Sequence, residues 1–161
     1  MNDYIKQIAK SKWERKFNFD WQNTKEFFTI KTDKFIIALT GGSAIIRDKK
    51  TGETIQQIKG YNYLYTGDVK PDESELFALE NGKHFYVISL KDFTQKLRIT
   101  LPRSYEAMDV YGSFSEDGKS LCVPVCKYGT KRYLYYLCEY ETENYTLVNM
   151  TETKNQVMGW H

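Results

Sequence analysis

The sequence predicts an all-β chain of about three successive four-stranded antiparallel sheets, with one short N-terminal helix. Three observations carry that expectation. Aromatic residues make up 16% of the 161 residues, 13 of them Tyr and 9 Phe, and these side chains favour the half-buried surface of a pleated sheet. Downstream of Trp21 the chain reads as short apolar runs separated by turn residues. The turn aspartates Asp33, Asp72 and Asp117 then recur 39 and 45 residues apart.

The helix is predicted over Asp3 to Trp13, where Ile5, Ile8 and Ala9 fall at helical spacing behind a cap at Asn2 or Asp3. So short a helix must lie against the sheet to be stable. Trp13, Arg15, Phe17, Phe19 and Trp21 alternate, which predicts a strand. The first repeat follows as Phe27 to Lys31, Phe35 to Thr40, Ser43 to Arg47 and Glu53 to Lys59. Gly41-Gly42 between two of these runs predicts a tight hairpin, because glycine accepts positive φ there. The second repeat is Tyr65 to Lys70, Glu75 to Leu79, His84 to Leu90 and Gln95 to Leu101. The third is Ala107 to Phe114, Ser120 to Tyr128, Arg132 to Tyr140 and Tyr145 to Met150. A period of about 40–45 residues with four strands in each is the signature of β-propeller blades. The chain divides accordingly into a helix and capping strand (1–26), blades at 27–60, 61–103 and 104–150, and a tail (151–161) within a single propeller-like domain.

Lys70-Pro71-Asp72-Glu73-Ser74-Glu75-Leu76 and Phe114-Ser115-Glu116-Asp117-Gly118-Lys119-Ser120-Leu121 resemble the turn between the first two strands of a WD40-type β-propeller blade. Ile45-Ile46-Arg47-Asp48-Lys49-Lys50-Thr51-Gly52-Glu53 resembles the end of the third strand and the turn after it, with Arg47 where that family has Trp. Ile88-Ser89-Leu90-Lys91-Asp92 is the matching stretch of the second repeat, also without Trp, and the Gly-His dipeptide is absent. The resemblance runs from about Phe27 to Met150 and implies divergent blades. Closed propellers hold 4–8 blades, so three leave two sheet faces to be covered, which predicts a homodimer.

Composition narrows the function classes. With 23 basic and 21 acidic residues the net charge is +2, which gives no case for a nucleic-acid partner. No apolar run spans a bilayer. Three cysteines, Cys122, Cys126 and Cys138, cannot all pair within one chain, which fits a cytoplasmic setting. They are expected reduced, mostly buried and without metal. No catalytic residues, metal site or cofactor are expected, since no P-loop, dinucleotide fingerprint, HExxH or GxSxG is present. The candidate binding residues are Tyr61, Tyr63 and Tyr65, which alternate and so share one face of a strand. Tyr133, Tyr135, Tyr136 and Tyr140 are expected in a strand buried on both sides. The function expected is a non-catalytic protein-interaction module, a small bacterial-type regulatory or neutralising partner. The alternative is a divergent enzyme or small-ligand binder at a propeller mouth.

Overall fold

A computed structural model describes residues 14–17, 28–80, 82–107 and 112–153. The helix expected over Asp3 to Trp13 lies outside them, as does most of the strand expected to reach Trp21. All the secondary structure described is β, in two antiparallel sheets, and among the described residues neither sheet closes on itself. Nor is any helix among them long and apolar enough to cross a membrane.

The first sheet is an eight-stranded meander in chain order. Its strands are β1 (Glu14–Phe17), β2 (Phe28–Lys31), β3 (Phe35–Leu39), β4 (Gly41–Asp48), β5 (Thr54–Val69), β6 (Glu75–Glu80), β7 (His84–Ser89) and β8 (Gln95–Thr100). A two-residue β9 (Glu106–Ala107) belongs to the second sheet, where it pairs with β11 (Ser120–Tyr128). That sheet also holds β10 (Ser113–Phe114), β12 (Tyr133–Glu141) and β13 (Leu147–Thr153). The expected hairpin at Gly41-Gly42 forms, with Thr40 N–H donating to the Ser43 carbonyl at 3.0 Å and Gly41 at φ +86°. Phe35–Leu39 and Leu76–Leu79 lie within strands paired antiparallel on both sides, and Leu121–Val125 pairs with β12 along its length and with β10 and β9 at its two ends.

One correction concerns sheet count. Two of the expected sheets are a single sheet, because β5 runs unbroken for 16 residues through the position expected to separate them. Its first part pairs with β4 and its last with β6. Between them Gly60, at φ +100°, opens a bulge: Ser43 faces Lys59, but Gly41 already faces Leu64. Glycine takes that conformation without the Cβ penalty, so a residue that reads as a breaker serves here as a bulge inside a continuous strand. The boundary drawn between residues 60 and 61 falls at this bulge.

The sheet folds back at β5. Three strand steps in a flat sheet would separate β2 from β5 by about 14 Å, yet their Cα atoms approach within 8 Å. The fold-back encloses a first core, where Phe28, Ile30, Ile37, Leu39 and Ile46 meet Leu64, Val69, Leu76, Ala78 and Ile88. The opposite faces of β6 and β7 supply Phe77, Leu79, Phe85 and Val87 to a second core, with Phe114, Leu121, Val123, Val125 and Tyr140 of the other sheet. Strands buried on both faces explain the nearly continuous apolar runs Leu76–Leu79 and Phe85–Ile88.

A backbone hydrogen-bond pattern recurs three times. Thr32, Lys70 and Ser115 each donate N–H across the first turn of a unit, to the carbonyls of Phe35, Glu75 and Ser120 at 2.8–2.9 Å. Asp48, Ser89 and Glu141 donate likewise across the later turn, to Glu53, Thr94 and Thr146. The following residues, Lys49, Leu90 and Thr142, tie the two turns together through the carbonyls of Lys34, Ser74 and Lys119. Even the side chains correspond: Asp48, Ser89 and Glu141 each accept from the backbone N–H groups two and three residues on. Three different residue types thus perform one local task, since each offers an oxygen to orphaned turn donors.

Candidate functional site

Tyr61, Tyr63 and Tyr65 do not form one exposed stripe. Tyr61 is buried in the first core with its ring edge-on to Tyr86 at 4.6 Å, and Tyr65 is buried in the second core. Only Tyr63 is exposed, 6.2 Å from Tyr65 between ring centroids. Strict alternation would put all three on one face, but the bulge at Gly60 and a register shift between Leu64 and Thr66 break the period.

Tyr61 belongs instead to a structural polar network. Its hydroxyl donates to Gln95 Oε1 at 2.8 Å, while buried Glu80 accepts from Tyr86 OH and from Asn62 N–H, both at 3.0 Å. Burial, reinforced by the charges of Tyr86 and Glu80, pushes the Tyr61 phenol up to about 12. Glu80 therefore satisfies a backbone donor that the β5 bulge takes out of the ladder.

The feature best placed to meet a partner is the β11–β12 hairpin. From matching anchors at Asp48, Ser89 and Glu141, β3–β4 runs five residue pairs and β6–β7 six, whereas β11–β12 runs nine. The three extra pairs, Cys126 with Tyr135, Lys127 with Leu134 and Tyr128 with Tyr133, carry its tip roughly 10 Å farther. Tyr128, Tyr133 and Tyr135 favour this extension, and Gly129 N–H closes the turn on the Arg132 carbonyl at 2.7 Å. Pro124 is tolerated mid-strand because its missing N–H falls between the β10 pairing at Leu121–Cys122 and the β9 pairing at Val125–Cys126.

The tip is aromatic and basic. Tyr128 is 68% exposed and Tyr133 54%. Their rings stand edge-on at 5.1 Å, and Tyr133 stacks on Tyr135 at 6.5 Å. Lys131 and Arg132 are exposed in the turn. On the other face Lys127 Nζ lies over the rings of Tyr105 (5.0 Å) and Tyr136 (5.9 Å). A hydrogen bond with Tyr105 raises the Lys127 pKa and keeps the ammonium charged. The expectation that this tyrosine group is buried on both sides is corrected here: Tyr140 is buried, Tyr135 and Tyr136 are partly covered, and Tyr133 is open. Among the described residues, none packs on the pair Tyr128–Tyr133 closely enough to bury it, and β9, beside β11, pairs no farther toward the tip than Cys126. A length signal was present in the sequence: 24 residues separate Asp117 from Glu141, against 17 from Asp72 to Ser89 and 15 from Asp33 to Asp48.

None of the three cysteines is in a disulfide; Cys138 is buried and Cys122 and Cys126 are partly covered. Among the described residues no group of three or more His, Cys, Asp and Glu side chains is arranged to hold a metal ion. Burial pushes the Cys138 thiol up to about 12, and burial followed by the charge of Glu139 does the same to Cys122. An unfolded thiol ionises near about 8.5, so these two favour the fold below that pH, and the advantage declines as pH rises toward 12. Iodoacetamide at about pH 8, below the ordinary thiol range, is accordingly expected to leave Cys138 unmodified in the native chain and to label it in urea. Stoichiometric native labelling by intact-mass measurement would contradict this.

No protein-family model matches the chain, and no curated protein matches it in sequence. Among solved structures it is similar to Kuenenia stuttgartiensis hydrazine synthase, with a TM-score of 0.61 at 15% identity over 74% of this chain. The match covers 34% of that protein, so this chain spans about a third of its length. At that identity the likeness is one of fold alone.

Proposed function

We propose that the chain is a run of three β-propeller blades working as a non-catalytic protein-interaction module, a regulatory or neutralising partner, with the β11–β12 hairpin as its contact surface. The observation that carries this reading is the projection of two exposed tyrosines beyond the length of the other two hairpins. Tyrosine is enriched at interfaces because it offers a large, stiff apolar surface with a polar end. The blade reading is supported by the thrice-repeated turn hydrogen bonds and by the approach of β2 and β10 to β5 within 8 Å, as the inner strands of adjacent blades would approach. The odd count of three cysteines, which cannot all pair within one chain, supports a reducing, cytoplasmic compartment.

Site-specific photo-crosslinking in the native cell tests the reading. A benzophenone amino acid replacing Tyr133 is expected to give a discrete protein adduct above the 19.0 kDa chain. The same group replacing Leu97, exposed on β8, is expected to give a different pattern. No adduct from position 133, or the same adducts from both positions, would overturn it.

A further inference from the structure

We propose that the partner of this hairpin is an acidic protein segment, one that pairs carboxylates with Lys131 and Arg132 and lays apolar side chains on Tyr128 and Tyr133. The inference rests on the reading of the hairpin as a protein contact and adds the chemistry of what it contacts.

The charge distribution selects the occupant. From Lys127 through Cys138 there are three cations, Lys127, Lys131 and Arg132, and no carboxylate. Lys131 and Arg132 are exposed and make no ion pair among the described residues. The carboxylates paired in register near the hairpin lie at its base: Glu106 opposite Cys126, and Glu152 opposite Tyr136. Glu152 acts on Lys127, which leaves the turn cations to an outside partner. A whole chain at only +2 thus concentrates two positive charges at its most projecting aromatic point. Such placement steers and orients an acidic partner. It also disfavours a second copy of this chain docking tip to tip, because like charges would meet.

Ring geometry favours a protein over single-stranded nucleic acid. Base stacking needs open aromatic faces. Here Tyr133 stacks on Tyr135 and is held in an edge-to-face contact with Tyr128. The rings brace one another into a fixed knob, which suits side-chain contacts at little ordering cost.

Selection of a random dodecapeptide phage library on the intact chain tests the inference. Enriched peptides are expected to combine Asp or Glu with apolar or aromatic residues. Affinity of a synthetic selected peptide should fall at least about tenfold in Lys131→Glu/Arg132→Glu, and about as much in Tyr128→Ala/Tyr133→Ala. Both variants lie at an exposed turn, so unchanged thermal unfolding should confirm their fold. Neutral or basic peptides, no enrichment, or indifference to the charge reversal would overturn the proposal. So would tighter binding of the tip to an oligothymidylate or to phosphatidylserine vesicles, or a concentration-dependent dimer abolished by the tyrosine variant. A crosslink at position 133 that persists unchanged in Lys131→Glu/Arg132→Glu would sink the acidic partner alone and leave the protein-contact reading standing.

Discussion

Phe77→Ala is expected to lower the stability of the fold by about 3–5 kcal/mol. Phe77 has no exposed surface and projects from β6 into the second core, edge-on to Phe85 at 5.3 Å. Phe85 in turn meets Tyr140 of the other sheet at 5.1 Å. Behind the ring lies Gly112, where an added Cβ would stand 2.6 Å from Phe77, so the aromatic ring occupies the space a side chain would otherwise take. β6 is hydrogen-bonded to β5 and β7 on its two sides, and a strand held that way cannot collapse into a cavity. The loss would remove a fifth or more of a typical domain stability of about 5–15 kcal/mol. Urea unfolding should show a much lower midpoint with little change in slope. Phe77→Leu, which keeps most of the volume, should lose less. A loss below about 1 kcal/mol in the alanine variant, no more than an average substitution costs, would show that the two sheets do not depend on this ring.

Asp68→Ala is expected to cost about 2–5 kcal/mol by a different route. Asp68 is buried on β5, and its Oδ2 accepts from Phe114 N–H at 2.9 Å and Ser113 Oγ at 3.2 Å. Those donors belong to β10, so one carboxylate joins the eight-stranded sheet to the five-stranded one. Alanine would leave the buried Phe114 N–H without its acceptor, costing about 1–3 kcal/mol, and would remove one of the two acceptors of Ser113 Oγ, which also donates to the Phe114 carbonyl. Asparagine keeps an oxygen in place and should lose less. Because the bond couples the sheets, native-state hydrogen exchange should show amides of β10, β11 and β12 losing protection before those of β3 and β4. Equal effects of Asn and Ala, or uniform loss of protection, would contradict that role.

The strand pattern was largely legible in the sequence because it depends on neighbours. Phe35–Leu39, Glu75–Glu80 and Ser120–Tyr128 announce themselves by β-forming residues between turns. The turn aspartates also did what their chemistry predicts, Asp72 and Asp117 accepting from the backbone N–H groups of Ser74 and Lys119. The candidate site was not legible in the same way. Tyr61, Tyr63 and Tyr65 alternate on paper, and the bulge with its following register shift sends two of them into different cores. Tyr133 and Tyr135 sit in a run with apolar residues on both faces, which reads as doubly buried, yet Tyr133 is 54% exposed.

By itself the sequence determined the all-β class, the recurrence of strand-and-turn units and the positions of their turns. These follow from side-chain alternation and local turn hydrogen bonding, and both act over a few residues. Only the tertiary structure decided that β5 is continuous, that β6 and β7 are covered on both faces, and that the tip of β11–β12 stays open. A strand with apolar residues on both faces is compatible with either environment, and which it meets depends on where distant strands pack and stop.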